Sequence, residues 1–500
     1  MHLTSCSLAC LLMAAPPALP YSIEVVDDET GRGVPLVELT TTSGVSYFTD
    51  SAGRIAFAEP GLLKQRVYFS IQSHGYEIAK DGFGFAGRAL DTLPGGTATI
   101  RLKRRNIAQR LYRLTGEGIY RESELLGQPS SIREPQLNAQ VTGCDTVQTS
   151  VFRGRLHWFW GDTNRISYPL GLFHISGAVS QLPAAGGLDP SHGVDFTYYC
   201  GENGFARAMA RMPGEGPTWI GGVAVLPDQH GDEKLLCGYA KVKPPLEVYR
   251  RGLAQWNNES EQFEQVSEFP SQAPLYPDGH PLIVREGDAT FVYFASPFPL
   301  VRTRATAEAY LDLTTYEAFT CLKEGTTLAA PEIDRDASGK ARYAWKRNTP
   351  PVDAQDQLKM IEQGVLRSAE AWLQTRDVAS GKPVTLHRGS VAWNEYRQRY
   401  VLIAVEIFGS SVLGEVWYAE ADAPLGPWEK AIKVVTHDRY SFYNPKHHPY
   451  FDQEGGRLIY FEGTFTHSFS GNPHRTPRYD YNQIMYRLDL GDVRLHAARH

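Results

Sequence analysis

Cysteine is scarce in this 500-residue chain: six residues, two of them within the first ten positions. The other four, Cys144, Cys200, Cys237 and Cys321, form no CxxC pair and no zinc spacing. That leaves open either one or two disulfides or a set of buried thiols. Excess positive charge is also missing. Lys and Arg number 50 against 56 Asp and Glu, for a net charge of −6 and a pI near 6.2, so nothing favours nucleic acid or an anionic membrane as a partner. Beyond the N-terminus no apolar run is long enough to span a bilayer. Helical periodicity is nearly absent. One stretch, 353–373, repeats apolar residues at helical spacing (Leu358, Ile361, Val365, Ala369, Trp372) and predicts a helix. Residues 1–20 contain no Lys or Arg, yet their apolar centre, followed by small residues and prolines before Tyr21, reads as an export signal. A periplasmic or extracellular location is the expectation.

What is present is β-forming and turn-forming. Aromatics make up 11% of the chain, with 26 Tyr and 9 Trp, and there are 46 Gly and 32 Pro. One unit recurs five times: a polar residue, an apolar run, a tight turn, a second apolar run and a polar residue. The copies start at Asp145, Ile220, His280, Arg388 and His447 and end at Asp162, Lys241, Ser296, Glu406 and Glu462. That length suits a β-hairpin, whose two ends meet at its open end. Further strands follow most units, as in Val416-Trp-Tyr-Ala-Glu and Ile484-Met-Tyr-Arg-Leu. Five such units predict an all-β chain with a five-bladed β-propeller over 141–490. The helix would be inserted between the third and fourth blades.

Residues 21–104 form a separate β unit. Ser22-Ile-Glu-Val-Val, Val34-Pro-Leu-Val-Glu-Leu, Val67-Tyr-Phe-Ser-Ile and Thr97-Ala-Thr-Ile-Arg-Leu read as strands, and Tyr47 to Phe57 as a hairpin around Ser51-Ala-Gly. The TGRGVPLVEL strand, the TDSAGRIAF hairpin and the late SHGY resemble the regulatory-like, transthyretin-type sandwich of carboxypeptidases. An accessory role is expected there. Residues 105–140 read as a connector.

The predicted rim gathers the chemistry. Asp145 and Asp162 flank the first hairpin, and the glycine of Trp160-Gly-Asp-Thr would leave the Asp162 carboxylate accessible. Glu406 and Glu462 end the fourth and fifth hairpins. His280 opens the third, His387 and Arg388 the fourth, and His447 and His448 the fifth, with Asn444 nearby. Two carboxyl groups can serve glycoside hydrolysis as acid and as base or nucleophile. Histidines on the same rim can bind hydroxyls or tune a carboxylate. Arg388 suits a uronate or sulfate. The second unit, opening with Trp219-Ile220, offers no acid and reads as structural. No cofactor is implied, and no HxxxH or HxH spacing among these rim histidines marks a metal.

The stretch GCDTVQTSVFRGRLHWFWGDTN resembles the first blade of five-bladed glycosidase-like propellers, in particular a once-uncharacterised bacterial family that includes endo-D-arabinanases. The later stretches GSVAWNEYRQRYVLI, GEVWYAEADAPLGPW and TPRYDYNQIMYRLDL resemble blades of the same kind. The resemblance implies Asp145 and Asp162 as the catalytic pair. The expected function is then an exported glycoside hydrolase acting on a polysaccharide or oligosaccharide. Glu406 and Glu462 would assist, and His280, His387, Arg388, His447, His448, Asn444 and Trp160 would contact sugar. Two other readings stay open: a non-catalytic carbohydrate-binding propeller, and a polysaccharide lyase using His, Tyr and Arg388.

Overall fold

The computed structural model describes residues 19–172, 174–476 and 479–499; residues 1–18, most of the expected export signal, lie outside them. The chain is mostly β. Residues 21–104 form two four-stranded sheets. In one, Tyr21–Asp27 lies between Arg54–Phe57 and Thr97–Arg104, with Tyr76–Glu77 at the edge. In the other the order is Ser46–Phe48, Glu38–Thr41, Arg66–Gln72 and Gly87–Asp91. Tyr21, Ile23 and Val25 alternate inward, and they meet Leu39, Phe69 and Ile71 of the second sheet in one apolar core.

The expected hairpin over Tyr47–Phe57 does not form, because its two strands belong to different sheets. Asp50 turns the chain from one to the other. Its Oδ1 accepts from the backbone N–H of Ala52 and Arg54, and its Oδ2 accepts from that of Ser123. Gly53 sits at φ +76 against Val25 and Val34, where a side chain would collide. The turn is therefore anchored on backbone outside itself, which a local pattern of apolar residues does not record.

Among the described residues six sheets follow: a three-stranded one of Val141–Cys144, Thr163–Arg165 and Tyr168–Leu172, and then five larger ones, antiparallel except that Arg376–Asp377 pairs parallel with Lys430–Val435 at the outer edge of the fourth. The first of the five holds Val147–Phe152, Arg155–Trp160, Ser176–Gln181 and Thr197–Tyr198. The second holds Thr218–Pro227, Glu233–Lys243, Glu247–Asn257 and Gln262–Phe269. The third begins with His280–Glu286 and Ala289–Ala295, the fourth with Leu386–Asn394 and Arg399–Glu406. The fifth runs Ser441–His447, Leu458–Thr466, Asn482–Asp489. The first strands neighbour one another in a closed ring. Ser150 Oγ donates to Val223 O, the His447 N–H donates to Ser390 Oγ, and Lys446 Nζ donates to Thr149 O.

Period-two alternation explains why the sheets pack this way. In Arg155–Trp160, Leu156, Trp158 and Trp160 face the fifth sheet while Phe159 faces the second, and all are buried. A strand buried on both faces carries few polar residues, and LHWFW has one, His157, whose ring packs on Phe152, Phe159 and Trp256. Each apolar ring removed from water contributes about 1.5–3 kcal/mol. Other gaps are filled alike, with Phe294 and Tyr310 between the second and third sheets and Tyr418 and Phe461 between the fourth and fifth.

Closure comes from the stretch read as a connector. Gln109–Arg113 is the outermost strand of the fifth sheet, paired antiparallel with Asn482–Asp489, and every one of its residues is buried. The ring is thus tied shut by a strand that precedes it in the chain. The expected helix is shorter than 353–373. It spans Ala354–Glu362, capped by Asp353, whose side chain accepts from the Asp356 N–H. It stops before Gly364, at φ +72. The four described cysteines are free thiols.

Candidate active site

Asp145 and Asp162 face each other at the mouth of the first hairpin, two positions beyond the Val147–Trp160 pair. The Asp145 N–H donates to Asp162 O at 3.1 Å, and the Gly161 N–H donates to Asp145 O at 2.8 Å. Gly161 has a different task from the one its motif suggests. A methyl group there would collide with Asp145 Oδ1, so the glycine makes room for Asp145 rather than exposing Asp162.

Both carboxyls border a cavity of about 560 Å³ at the starting ends of the inner strands. The Asp145 Oδ2 accepts from the hydroxyls of Tyr443 at 2.9 Å and Tyr481 at 2.8 Å. Burial and the neighbouring Asp162 charge push the Asp145 carboxyl up to about 7, against the opposing pull of those two tyrosines. Burial raises Asp162 too, and a hydrogen bond to the Trp219 side chain works against it. Asp162 Oδ1 is buried with no hydrogen-bond partner among the described residues. Asp145 thus holds a proton near neutral pH beside a second carboxyl with one oxygen free, which is the division of labour that acid–base chemistry needs.

Sequence reasoning missed several members of this wall. Trp219 belongs to the unit read as structural, yet its side chain bonds Asp162. Tyr443 lies in no motif, and Tyr481, though inside TPRYDYNQIMYRLDL, is not marked by it; both reach Asp145 only because the fifth sheet closes against the first. Asp278, in the loop before His280–Glu286, is bonded by Arg388 at 2.8 Å. A Pro-Asp-Gly sequence reads as a turn, so nothing local marks that carboxylate.

The other predicted residues divide. Trp160, His280, Arg388 and Asn444 border the cavity. Asn444 Nδ2 donates to Thr146 Oγ1 at 2.7 Å, which latches the fifth sheet to the first. His280 is buried; burial first, then Lys446 and Arg388, hold its pKa well below the usual imidazole range. His387 does not border the cavity. Burial and Arg388 lower it to about 4.

Glu406 ends its strand as expected but does not border the cavity. Its Oε2 accepts from the Trp417 indole at 2.9 Å, on the outer side of the hairpin. Glu462, His447 and His448 are misplaced by the sequence for one reason. The run Pro449-Tyr-Phe resembles a strand, but it is a 3₁₀ turn at the closed end of the fifth hairpin. The inner strand is the preceding Ser441–His447, whose polar residues and bulge after Tyr443 hide it. His447 therefore ends at the far side, with Nε2 2.8 Å from Asp452 Oδ1. His448 bonds the Tyr450 hydroxyl through Nδ1 at 2.6 Å. Glu462 is mid-strand and fully buried, paired across the sheet with Lys446. Burial pushes Glu462 up to about 8 and Lys446 down to about 7. Among the described residues, no three His, Cys, Asp or Glu side chains are placed to hold a metal ion.

No protein-family model matches the chain, and no curated protein matches it in sequence. The family resemblance of residues 141–490 therefore rests on the motifs alone. Among solved structures, the chain is similar to the α-L-arabinofuranosidase Arb93A of Fusarium graminearum, at 11% identity and a TM-score of 0.36, over 77% of this chain and 99% of that one. It is also similar to an α-L-arabinanase of Penicillium chrysogenum, at 12% identity and a TM-score of 0.35, over 77% and 98%. An exo-β-1,3-galactanase of Phanerochaete chrysosporium matches at 10% identity and a TM-score of 0.35, over 70% of this chain and 61% of that one. Likenesses this distant say nothing of what this chain acts on.

Proposed function

We propose that the chain is a glycoside hydrolase built on a five-bladed β-propeller, acting on a polysaccharide or oligosaccharide, with the 21–104 unit as an accessory sandwich. The observation that carries this reading is the Asp145–Asp162 pair, two carboxyls at one hairpin mouth, both bordering the cavity where the inner strands begin. Asp145, protonated near neutral pH, donates its proton to the glycosidic oxygen as the bond to the anomeric carbon breaks. Asp162 acts as base on the incoming water, or as nucleophile at the anomeric carbon. Tyr443 and Tyr481 then hold the anion that Asp145 becomes. Trp219 orients Asp162. Tyr239, Phe269 and Tyr276 also border the cavity and supply aromatic faces on which sugar rings pack through their C–H surfaces. Export of the chain, read from residues 1–20, is part of the proposal.

The test is a screen of purified protein against plant, algal and bacterial polysaccharides, with product analysis. Asp145→Asn and Asp162→Asn are expected to lower turnover by about 10²–10⁴ while leaving the circular dichroism spectrum and glycan affinity in place. Full activity in either variant removes that residue from the mechanism. An unsaturated product absorbing in the near ultraviolet would replace the hydrolase with a lyase.

A further inference from the structure

The cavity also carries charges that hydrolysis does not use. Arg388 Nη1 donates to Asp278 Oδ2 at 2.8 Å and also bonds the Ser296 hydroxyl. Its Nε and Nη2 form no hydrogen bond with a described residue, and the two side chains stay 42% and 44% exposed. Burial pushes the Asp278 carboxyl up, but Arg388 and then Arg251 more than reverse this, and it remains ionised.

Arg251 is the second cation. It stands on Glu247–Asn257, the third strand of the second sheet, and borders the same cavity. Its guanidinium carbon lies 4.0 Å from the centroid of the Tyr276 ring. No described residue forms an ion pair or hydrogen bond with it, and its Nε is buried without a partner. Asp278 thus faces both guanidinium groups, and Asp353 also bears on Arg388, while Arg251 has no carboxylate among the described residues in an ion pair of its own. A planar guanidinium held on an aromatic ring keeps its N–H edge for an anion and matches carboxylate or sulfate geometry in a way that an ammonium does not. A neutral glycan has no anion to pair with the Arg251 guanidinium. The buried Tyr239 hydroxyl, also without a partner, borders the same cavity.

We propose that Arg251 and Arg388 form a subsite for an acidic sugar, an oligosaccharide residue carrying a uronate carboxylate or a sulfate ester. The proposal deepens the hydrolase reading by naming the substrate class, and the cleavage step itself rests on that reading. Binding does not: an acidic glycan would dock here whether or not a bond is then cut.

The experiment is calorimetric titration of the full chain with trigalacturonate and trimannuronate, with a sulfated galactan oligosaccharide, and with galactotriose as the neutral probe. At least one acidic probe is expected to bind ten-fold or more tighter than galactotriose, with a preference that weakens as salt is raised. The uronate and sulfate arms tell the two anions apart. Arg251→Gln should bring the acidic-to-neutral ratio to about one, and Arg251→Lys should restore only part of it. Arg388→Gln also releases Asp278, so Arg251 is the decisive position. Equal binding of all probes, no binding of any acidic probe, or a ratio unchanged by Arg251→Gln overturns the subsite. Acid-selective binding with no cleavage of any glycan would leave the subsite standing and remove the hydrolase.

Discussion

Gly161 and Asp145 touch: the glycine's Cα packs so closely on the Asp145 carboxyl that a methyl in its place would collide with Oδ1. The contact predicts that Gly161→Ala swings the Asp145 carboxyl, the proposed acid, out of position. Activity should fall about 100-fold or more, as misplacement of a catalytic group by an ångström can cost that much. Thermal stability should fall as well. In an Asp145→Ala background the stability cost of Gly161→Ala should largely vanish, since neighbours in contact couple. A full cost in both backgrounds would place the clash elsewhere.

Tyr481 donates to Asp145 Oδ2 at 2.8 Å, and a donor to a carboxylate favours its ionised form. Asp145 stands near 7 through burial and the Asp162 charge, so an acid role predicts activity that declines as pH rises through that value. Tyr481→Phe removes a bond that lowers the pKa, so the pKa goes up and the alkaline limb of kcat/KM should shift to higher pH. The shift should be about one to two pH units, from a charged hydrogen bond of about 1.5–3 kcal/mol. A limb that stays put, or moves to lower pH, would deny Asp145 the acid role.

Glu462 is fully buried, and neither carboxyl oxygen has a hydrogen-bond partner among the described residues. With a pKa raised to about 8 by burial, it is largely protonated at neutral pH, and glutamine is its near match in shape and charge. Glu462→Gln should leave kcat within about three-fold of the parent, because the change falls outside the proposed Asp145–Asp162 pair. A 100-fold loss would return Glu462 to the machinery.

Leu111 lies in the strand that closes the fifth sheet and is fully buried beside Trp158, Tyr460 and Met485. Leu111→Ala should cost about 2–5 kcal/mol in denaturant unfolding. The equivalent change at exposed Leu125 should cost well under 1 kcal/mol. Equal effects would mean that Gln109–Arg113 does not hold the ring shut.

Much of the layout is legible locally. The first hairpin can be read because LHWFW is buried on both faces and so is apolar but for His157, and because Arg153-Gly154 marks its turn. Asp145 and Asp162 follow from that register. The fifth hairpin misleads for the opposite reason. Ser441–His447 carries Tyr443, Asn444 and Lys446 toward partners in other sheets, so its residues look like a loop, while the apolar Pro449–Phe451 looks like a strand. A one-strand error there moved His447, His448 and Glu462 to the wrong end of the molecule.

By itself the sequence determined the β-rich character, the recurring hairpins and the aspartate pair, because period-two alternation and turn residues are local properties of the chain. Only the tertiary structure decided what surrounds that pair. Tyr443 and Tyr481 lie about three hundred residues from Asp145 in sequence, Arg388 lies 110 from Asp278, and the closing strand comes before the sheets that it seals. Those contacts exist because a ring of sheets must meet itself to bury its last apolar face, and no local pattern encodes which residues the closure brings together.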